Sequence, residues 1–302
     1  MLCPILTLLA AAGVAASLHD NIRARVQAAL DVEAQTYNTS FSFGFANVDG
    51  TAAVVAGIAD HENAIPAKLT DRYPSGSVTK TYTAAAVAQV IETGAWTMQT
   101  TVASVVDPLL QRVNGTTLDR LWAPGKGGGL IKNVTLGQLL HMSSGLQDYN
   151  DTWLQKWTVD NPHKDFTPID FLYEVDKDFL CYPGTCSAYT SVGYMLLGLA
   201  LSEHSAPGTA TQFSFDQHSV IPQGVKDLSN YSFENTGFPL KGPCTNDKNI
   251  VPKQYKTIYP PKGQNFVLSA FDISKTSCLN GWTCGNLAHV LHLLITYTYF
   301  PA

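Results

Sequence analysis

The sequence predicts an α+β fold, an antiparallel sheet flanked by helices, and three observations lead there. Between His19 and Gln35 the apolar residues Ile22, Val26, Ala29 and Leu30 recur at helical spacing, with Arg and Asp on the other face. Phe41, Phe43 and Phe45 then alternate with small or polar residues, and Asp49-Gly50 followed by AAVVAGIA supplies a turn and a return strand. A helix that runs into an antiparallel hairpin belongs to an α+β domain, not to a parallel-sheet fold. The third observation is a set of helices further on. One begins near Ser77 and runs to about Thr93, where Gly94 supplies a stop. A second begins near Thr135, whose spacing to Gln138 makes a capping box, and ends near Gly145. A third, from about Val192 to Glu203, is apolar on all sides (GYMLLGLAL) and is therefore expected to be buried. Loops rich in Gly, Pro, Asn and Asp lie between and beyond, notably from Ala123 to Leu130 and from Gln223 to Pro261. There is no internal repeat and no clean linker, and the middle is more helical than the strand-rich beginning, which fits one unit built from two lobes.

The chain of 302 residues is long enough for one large domain or two intimate lobes with a substantial core. A net charge of −5, with no Lys/Arg stripe to neutralise phosphates, argues against nucleic acid as a partner. Residues 1–16, MLCPILTLLAAAGVAA, are apolar, too short for a comfortable membrane span, and end on small residues at Val14 and Ala16. They read as a secretory leader cleaved near Ala16/Ser17, although no Lys or Arg precedes the apolar run; the competing reading is a buried apolar strand or helix. On the first reading the mature domain is 17–302, extracellular and without a membrane partner. Sequons at Asn38, Asn114, Asn133, Asn150 and Asn230 fit an exported glycoprotein. In an oxidising compartment Cys181 with Cys186, and Cys278 with Cys284, are candidate local disulfides, which leaves Cys244 over. None of the cysteines has convincing zinc-site spacing, so no metal and no cofactor is expected.

The chemistry centres on Ser77-Val78-Thr79-Lys80 within PSGSVTKTYTAAAVAQVIETG. Residues three apart share a helix face, so the Ser77 hydroxyl and the Lys80 ammonium can meet across one turn. A serine hydroxyl is a poor nucleophile until a base removes its proton, and a lysine serves where burial and neighbours favour its neutral form. At a helix start, the dipole and a free backbone N–H of Ser77 would both stabilise an oxyanion. Gly76 lets the chain turn sharply and present the hydroxyl. Alone, S-x-x-K is a weak signal: Ser77 can equally be an N-cap and Lys80 an exposed helix residue.

GSVTKTYTAAAVAQVIETG resembles the nucleophile helix of the superfamily of serine β-lactamases, penicillin-binding proteins and related esterases. It is most similar to the class C β-lactamase-related branch, whose members often read G-S-x-x-K-x-x-T-A. Two further segments agree in order. LGQLLHMSSGLQDY, Leu136 to Tyr149, resembles the family's LLxHxSGL helix and turn, and SAYTSVGYMLLG, Ser187 to Gly198, resembles its YSNxGYxLLG segment. The resemblance runs from about Phe41 to Cys284 and implies a β-lactamase/transpeptidase-like fold, with a helical lobe inserted after the nucleophile helix. It implies a serine hydrolase acting through an acyl-enzyme on a small ester, an amide, a D-amino-acid peptide or a β-lactam; together with the leader and the sequons, which read as export, ester or amide is favoured.

Carried over by position, Tyr189 stands where the family has its catalytic tyrosine, and in an extended stretch Tyr189 and Ser191 project to the same side. The alternative for Tyr189 is a buried aromatic with a satisfied hydroxyl. Ser191 is a departure, since the family usually has an amide that offers donors to the lysine and to a substrate carbonyl. It is read here as substrate-binding together with Gly76, or as the N-cap of the helix from Val192. His141 is read as structural, and Lys126 in GKGGG as part of a surface loop, because that segment lacks the phosphate-loop pattern.

The family's late Lys-Thr-Gly or His-x-Gly motif has one near match, Lys275-Thr276-Ser277, in a stretch that resembles the approach to an earlier helix. After Asn286 the residues LAHVLHLLITYTYFPA do not resemble the family's closing helix and strands, so an incomplete set of C-terminal strands is expected. These departures keep a second reading open: a secreted binding or scaffold protein that has the fold without the turnover.

Overall fold

The computed structural model describes residues 18–215, apart from short gaps, and strand segments at 236–237, 255–258, 269–272 and 295–297. Residues 1–16, Asp49, Lys126, Asn230, Cys244, Lys275 and the Cys278–Cys284 pair lie outside the described residues, as does most of the stretch after Asn286, where the family's closing strands were expected to be incomplete. The chain divides into two compact units, Met1–Asp71 with Thr298–Ala302, and Arg72–Tyr297.

In the first unit, helix α1 (Leu18–Tyr37) precedes an antiparallel hairpin of β1 (Phe41–Asn47) and β2 (Gly50–Ala56). The register pairs Phe41 with Ala56 and Asn47 with Gly50, so the expected hairpin is present, but Gly50 opens β2 instead of lying in the turn as Asp49-Gly50 predicts. Gln27 on α1 donates from Nε2 to the Val55 carbonyl at 3.0 Å and so ties the helix to β2. The buried apolar residues of this unit are small: Ala34, Ala52, Ala53, Val54, Ala56 and Ala59. Two short strands, β3 (Ile58–Asp60) and β4 (Ile65–Pro66), form a second antiparallel pair.

The second unit opens with β5 (Arg72–Pro74), a 3₁₀ turn at Gly76–Val78 and helix α2 (Thr79–Glu92). Gly94, with φ +79°, ends that helix as expected, its N–H bonding the Ile91 carbonyl at 2.9 Å. The helices α3 (Val102–Asn114), α4 (Leu118–Trp122), α5 (Leu136–Leu140), α6 (Pro168–Glu174) and α7 (Ser191–Ser205) follow. The predicted capping box on α5 is present: Thr135 Oγ1 accepts the Gln138 N–H at 3.2 Å and Gln138 Oε1 accepts the Thr135 N–H at 3.0 Å. The helix is shorter than expected and stops at Leu140, because Met142 turns to φ +52° well before Gly145. Helix α7 is buried from Ser191 to Ser202, as its all-round apolarity requires, and is the post around which α2, α3, α5 and α6 pack. Trp122 and Phe171 are the largest fully buried side chains of this core.

Among the described residues, helices α3, α4 and α6 went unread in the sequence. In α3, Pro108 masks an amphipathic pattern that buries Val102, Val106, Leu109 and Leu110. Helix α4 has only five residues, and α6 has seven, although Pro168 at its first turn and the Thr167–Asp170 capping box are sound start signals. The expected loops are also broken. A 3₁₀ helix at Gly128–Asn133 ends the first, and β6 (Thr236–Gly237) and β7 (Tyr255–Ile258) lie in the second. Strand β7 pairs with β8 (Ser269–Asp272), and β9 (Ile295–Tyr297) lies between β5 and β6, all antiparallel. The architecture is α+β, its antiparallel pairing spread among the described residues over four small sheets. Of the sequons, Asn38, Asn114, Asn133 and Asn150 are exposed. Among the described residues no helix is long and apolar enough to cross a membrane.

Candidate active site

Ser77 is the middle residue of the 3₁₀ turn opened by Gly76, and Lys80 is the second residue of α2. The sequence expectation started the helix at Ser77; the tighter turn instead keeps the hydroxyl at the surface. Residues i and i+3 nearly eclipse in 3₁₀ geometry, so the pair still converges, with Lys80 Nζ 3.4 Å from Ser77 Oγ. Ser77 is exposed, whereas Lys80 is 5% exposed and enclosed beneath it.

The segment before α7 brings the remaining groups. Tyr189 Oη lies 2.5 Å from Ser77 Oγ, and the Lys80 ammonium stands 4.9 Å from the Tyr189 ring centroid. Tyr189 is 54% exposed, so the buried-aromatic alternative is wrong; its ring forms an open side of the site. Burial pushes the Tyr189 phenol up, but hydrogen bonds to Lys80 and Ser77 and the Lys80 charge outweigh that and hold it below the ordinary phenol range. Ser191 is fully buried, with Oγ 3.4 Å from Lys80 Nζ. It is the first residue of α7, and the N-cap is Thr190, whose hydroxyl bonds the Gln147 carbonyl instead of capping the helix. Ser77, Lys80, Tyr189 and Ser191 thus converge on one point, while Gly76 shapes the turn. His141 is the exposed C-cap of α5.

The turn after α5 fixes this geometry. Main-chain bonds join Ala188 N to Met142 O (3.0 Å), Gly184 N to Ser143 O (2.7 Å) and Leu180 N to Gly145 O (2.8 Å). The predicted Cys181–Cys186 disulfide, with Cα atoms 6.1 Å apart, closes the loop that makes these contacts. Gly145 is needed on two counts: its φ is +75°, and a Cβ there would meet the Cys181 carbonyl oxygen at 2.3 Å.

One residue of the site carried no assignment from sequence. Asp148 Oδ1 accepts the Ser191 N–H at 3.0 Å, and its Oδ2 lies 3.4 Å from the Ser191 hydroxyl. Burial raises the Asp148 carboxyl, opposed by backbone N–H donors from Tyr149 and Ser191 and by the Lys80 charge. The available signal was a single carboxylate among Leu146, Gln147 and Tyr149, just after the SSGL turn. Among the described residues no group of three or more His, Cys, Asp or Glu is arranged to hold a metal ion.

A serine beside a phenol and an enclosed lysine, in a turn that leads into a helix, is a combination from which acyl transfer can be built. The family model described as Beta-lactamase matches residues 13–229, and the chain belongs to that family. Penicillin-binding protein 4 of Amycolatopsis lactamdurans is 31% identical over 155 residues, which are 50% of this chain and 35% of that protein. The chain therefore spans about a third of that relative's length. Among solved structures, the octameric penicillin-binding protein homologue from Pyrococcus abyssi has a TM-score of 0.61 at 20% identity, covering 90% of this chain and 53% of its own. D-amino acid amidase from Ochrobactrum anthropi SV3 has a TM-score of 0.57 at 16% identity, covering 91% of this chain and 66% of its own. At these identities the structural likeness establishes the fold.

Proposed function

We propose that this protein is an exported serine hydrolase that works through an acyl-enzyme, with Ser77 as nucleophile. The observation that carries the reading is the position of Ser77 Oγ, within 2.5 Å of the Tyr189 hydroxyl and 3.4 Å of the Lys80 ammonium. A scaffold has no physical need for that combination. Ser77 Oγ attacks a carbonyl carbon while its proton passes to the Tyr189–Lys80 pair, which accepts it when one of the two is deprotonated, and the N–H of Ser77, in the turn ahead of α2, would donate to the developing oxyanion. The pair returns the proton to the leaving alcohol or amine, and water then cleaves the acyl-serine ester. The favoured substrates are small esters and amides. The amidase among the structural neighbours supports an amide, and D-peptides and β-lactams belong to the same chemistry. Export is supported by the apolar run at residues 1–16 and by the exposed sequon asparagines.

A second reading, a binding protein without turnover, is favoured by Ser191, whose hydroxyl is shorter than the family's amide and already engages Lys80 and Asp148. Intact-mass spectrometry decides between them. Wild type and Ser77→Ala are exposed to a p-nitrophenyl ester and, separately, to a β-lactam. One acyl group added to wild type alone supports the hydrolase; folded wild type that gains none supports the binding protein.

A further inference from the structure

Beneath the Ser77–Lys80–Tyr189 cluster the site has a floor, and a single carboxylate organises it. Asp148 Oδ1 accepts two backbone N–H groups, those of Ser191 and Tyr149, each at 3.0 Å. Its Oδ2 accepts from the Ser191 hydroxyl at 3.4 Å, and that hydroxyl accepts from Lys80 Nζ at 3.4 Å. A hydroxyl accepts and donates at once, so Ser191 can join the carboxylate to the ammonium. The two 3.0 Å bonds fix where the carboxylate sits, and the longer contacts pass its charge upward. Lys80 is enclosed, and an enclosed cation requires a compensating charge; the charge of Asp148 acts on it. The same loop bonds both sides of Tyr189, at Ala188 N through Met142 O and at Thr190 Oγ1 through Gln147 O.

We propose that Asp148 is the positioning residue of this site: it pins the start of α7 and, through the Ser191 hydroxyl, holds Lys80 against Ser77 and Tyr189. The inference rests on the serine-hydrolase reading for its consequence in rate, but its geometry can be tested without turnover. The titratable groups that face one another here are Asp148, Lys80, Tyr189 and, on α7, Tyr194, whose ring centroid lies 5.8 Å from Lys80 Nζ. Removing a negative charge from this set favours the Tyr189 phenolate.

The test titrates Tyr189 by ultraviolet difference absorbance, each chain against its own Tyr189→Phe counterpart, and measures acylation by a p-nitrophenyl ester in rapid mixing. Asp148→Asn keeps an oxygen for both backbone N–H groups and removes the charge. Its Tyr189 midpoint is expected about one pH unit below that of wild type, with acylation slowed about tenfold or more and ester affinity unchanged. A purely structural role would lower the melting temperature without moving the midpoint. Ser191→Ala retains the backbone bond to Asp148 and removes the bridge. Its midpoint is expected to rise, because Lys80, whose charge holds the phenol down, loses the bridge that keeps it beside Tyr189. This variant carries the test if Asp148→Asn does not fold. Unmoved midpoints in folded variants overturn the proposal, even if wild type acylates. Shifted midpoints in a protein that takes up no acyl group uphold Asp148 and remove the hydrolase reading instead.

Discussion

Tyr189 is open to solvent while the Lys80 side chain beside it is enclosed, and on the hydrolase reading this contrast would set the proton traffic at Ser77. Tyr189→Phe keeps the ring over Lys80 and deletes the hydroxyl. Acylation should fall about 10²- to 10⁴-fold, measured as the burst of p-nitrophenol, with the melting temperature little changed. Away from the site, Lys177 donates to the Leu172 and Tyr173 carbonyls at the end of α6 and stands 4.9 Å from the Trp122 ring centroid. Burial pushes its ammonium down to about 8, against the opposing pull of Glu174 and Asp176. Its folded pKa lies below its unfolded one, so between about 8 and 10.5 the unfolded chain holds more of this proton. The cost of the buried charge is present below that window and is relieved as pH rises through it. Denaturant unfolding of wild type minus that of Lys177→Met should therefore show a difference that grows in favour of wild type from pH 8 to pH 10.

The helices differ in how openly the sequence declares them, and the reasons are local. Helix α7 is legible because fifteen residues with an unbroken apolar run can only be buried. Truncating Leu196, fully buried at its centre, should cost about 2–5 kcal/mol in Leu196→Ala, read by denaturant unfolding. The capping box of α5 and the stop at Gly94 were legible because each is a local pairing of a residue type with a backbone need. Helix α3 was not, since Pro108 reads as a breaker until its neighbours are known to be packed. In the candidate site, Ser77, Lys80, Tyr189 and Ser191 could be read from spacing and family resemblance. Asp148 could not, because it meets Ser191 from 43 positions away and no periodicity encodes such a contact.

At the scale of the molecule, the two compact units are built from different material. The described core of the Met1–Asp71 unit is alanine and valine, whereas the Arg72–Tyr297 unit encloses Trp122, Phe171 and many leucines. Smaller side chains remove less apolar area from water, and stability is distributed accordingly. Native-state hydrogen exchange should show amides of β1 and β2 opening at lower free energy than those of α3 and α7. Equal protection of the two sets would sink this expectation.

Ser77 and Tyr189 are separated by 112 positions in the chain, yet they share a hydrogen bond. A contact of such long sequence separation forms only after the intervening loop has closed, and closing it is among the slower events of folding. A nascent or partly unfolded chain therefore carries an ordinary serine with no partner to activate it. The Ser77–Tyr189 pair exists only once that closure is complete, so any chemistry the pair supports is silent until then.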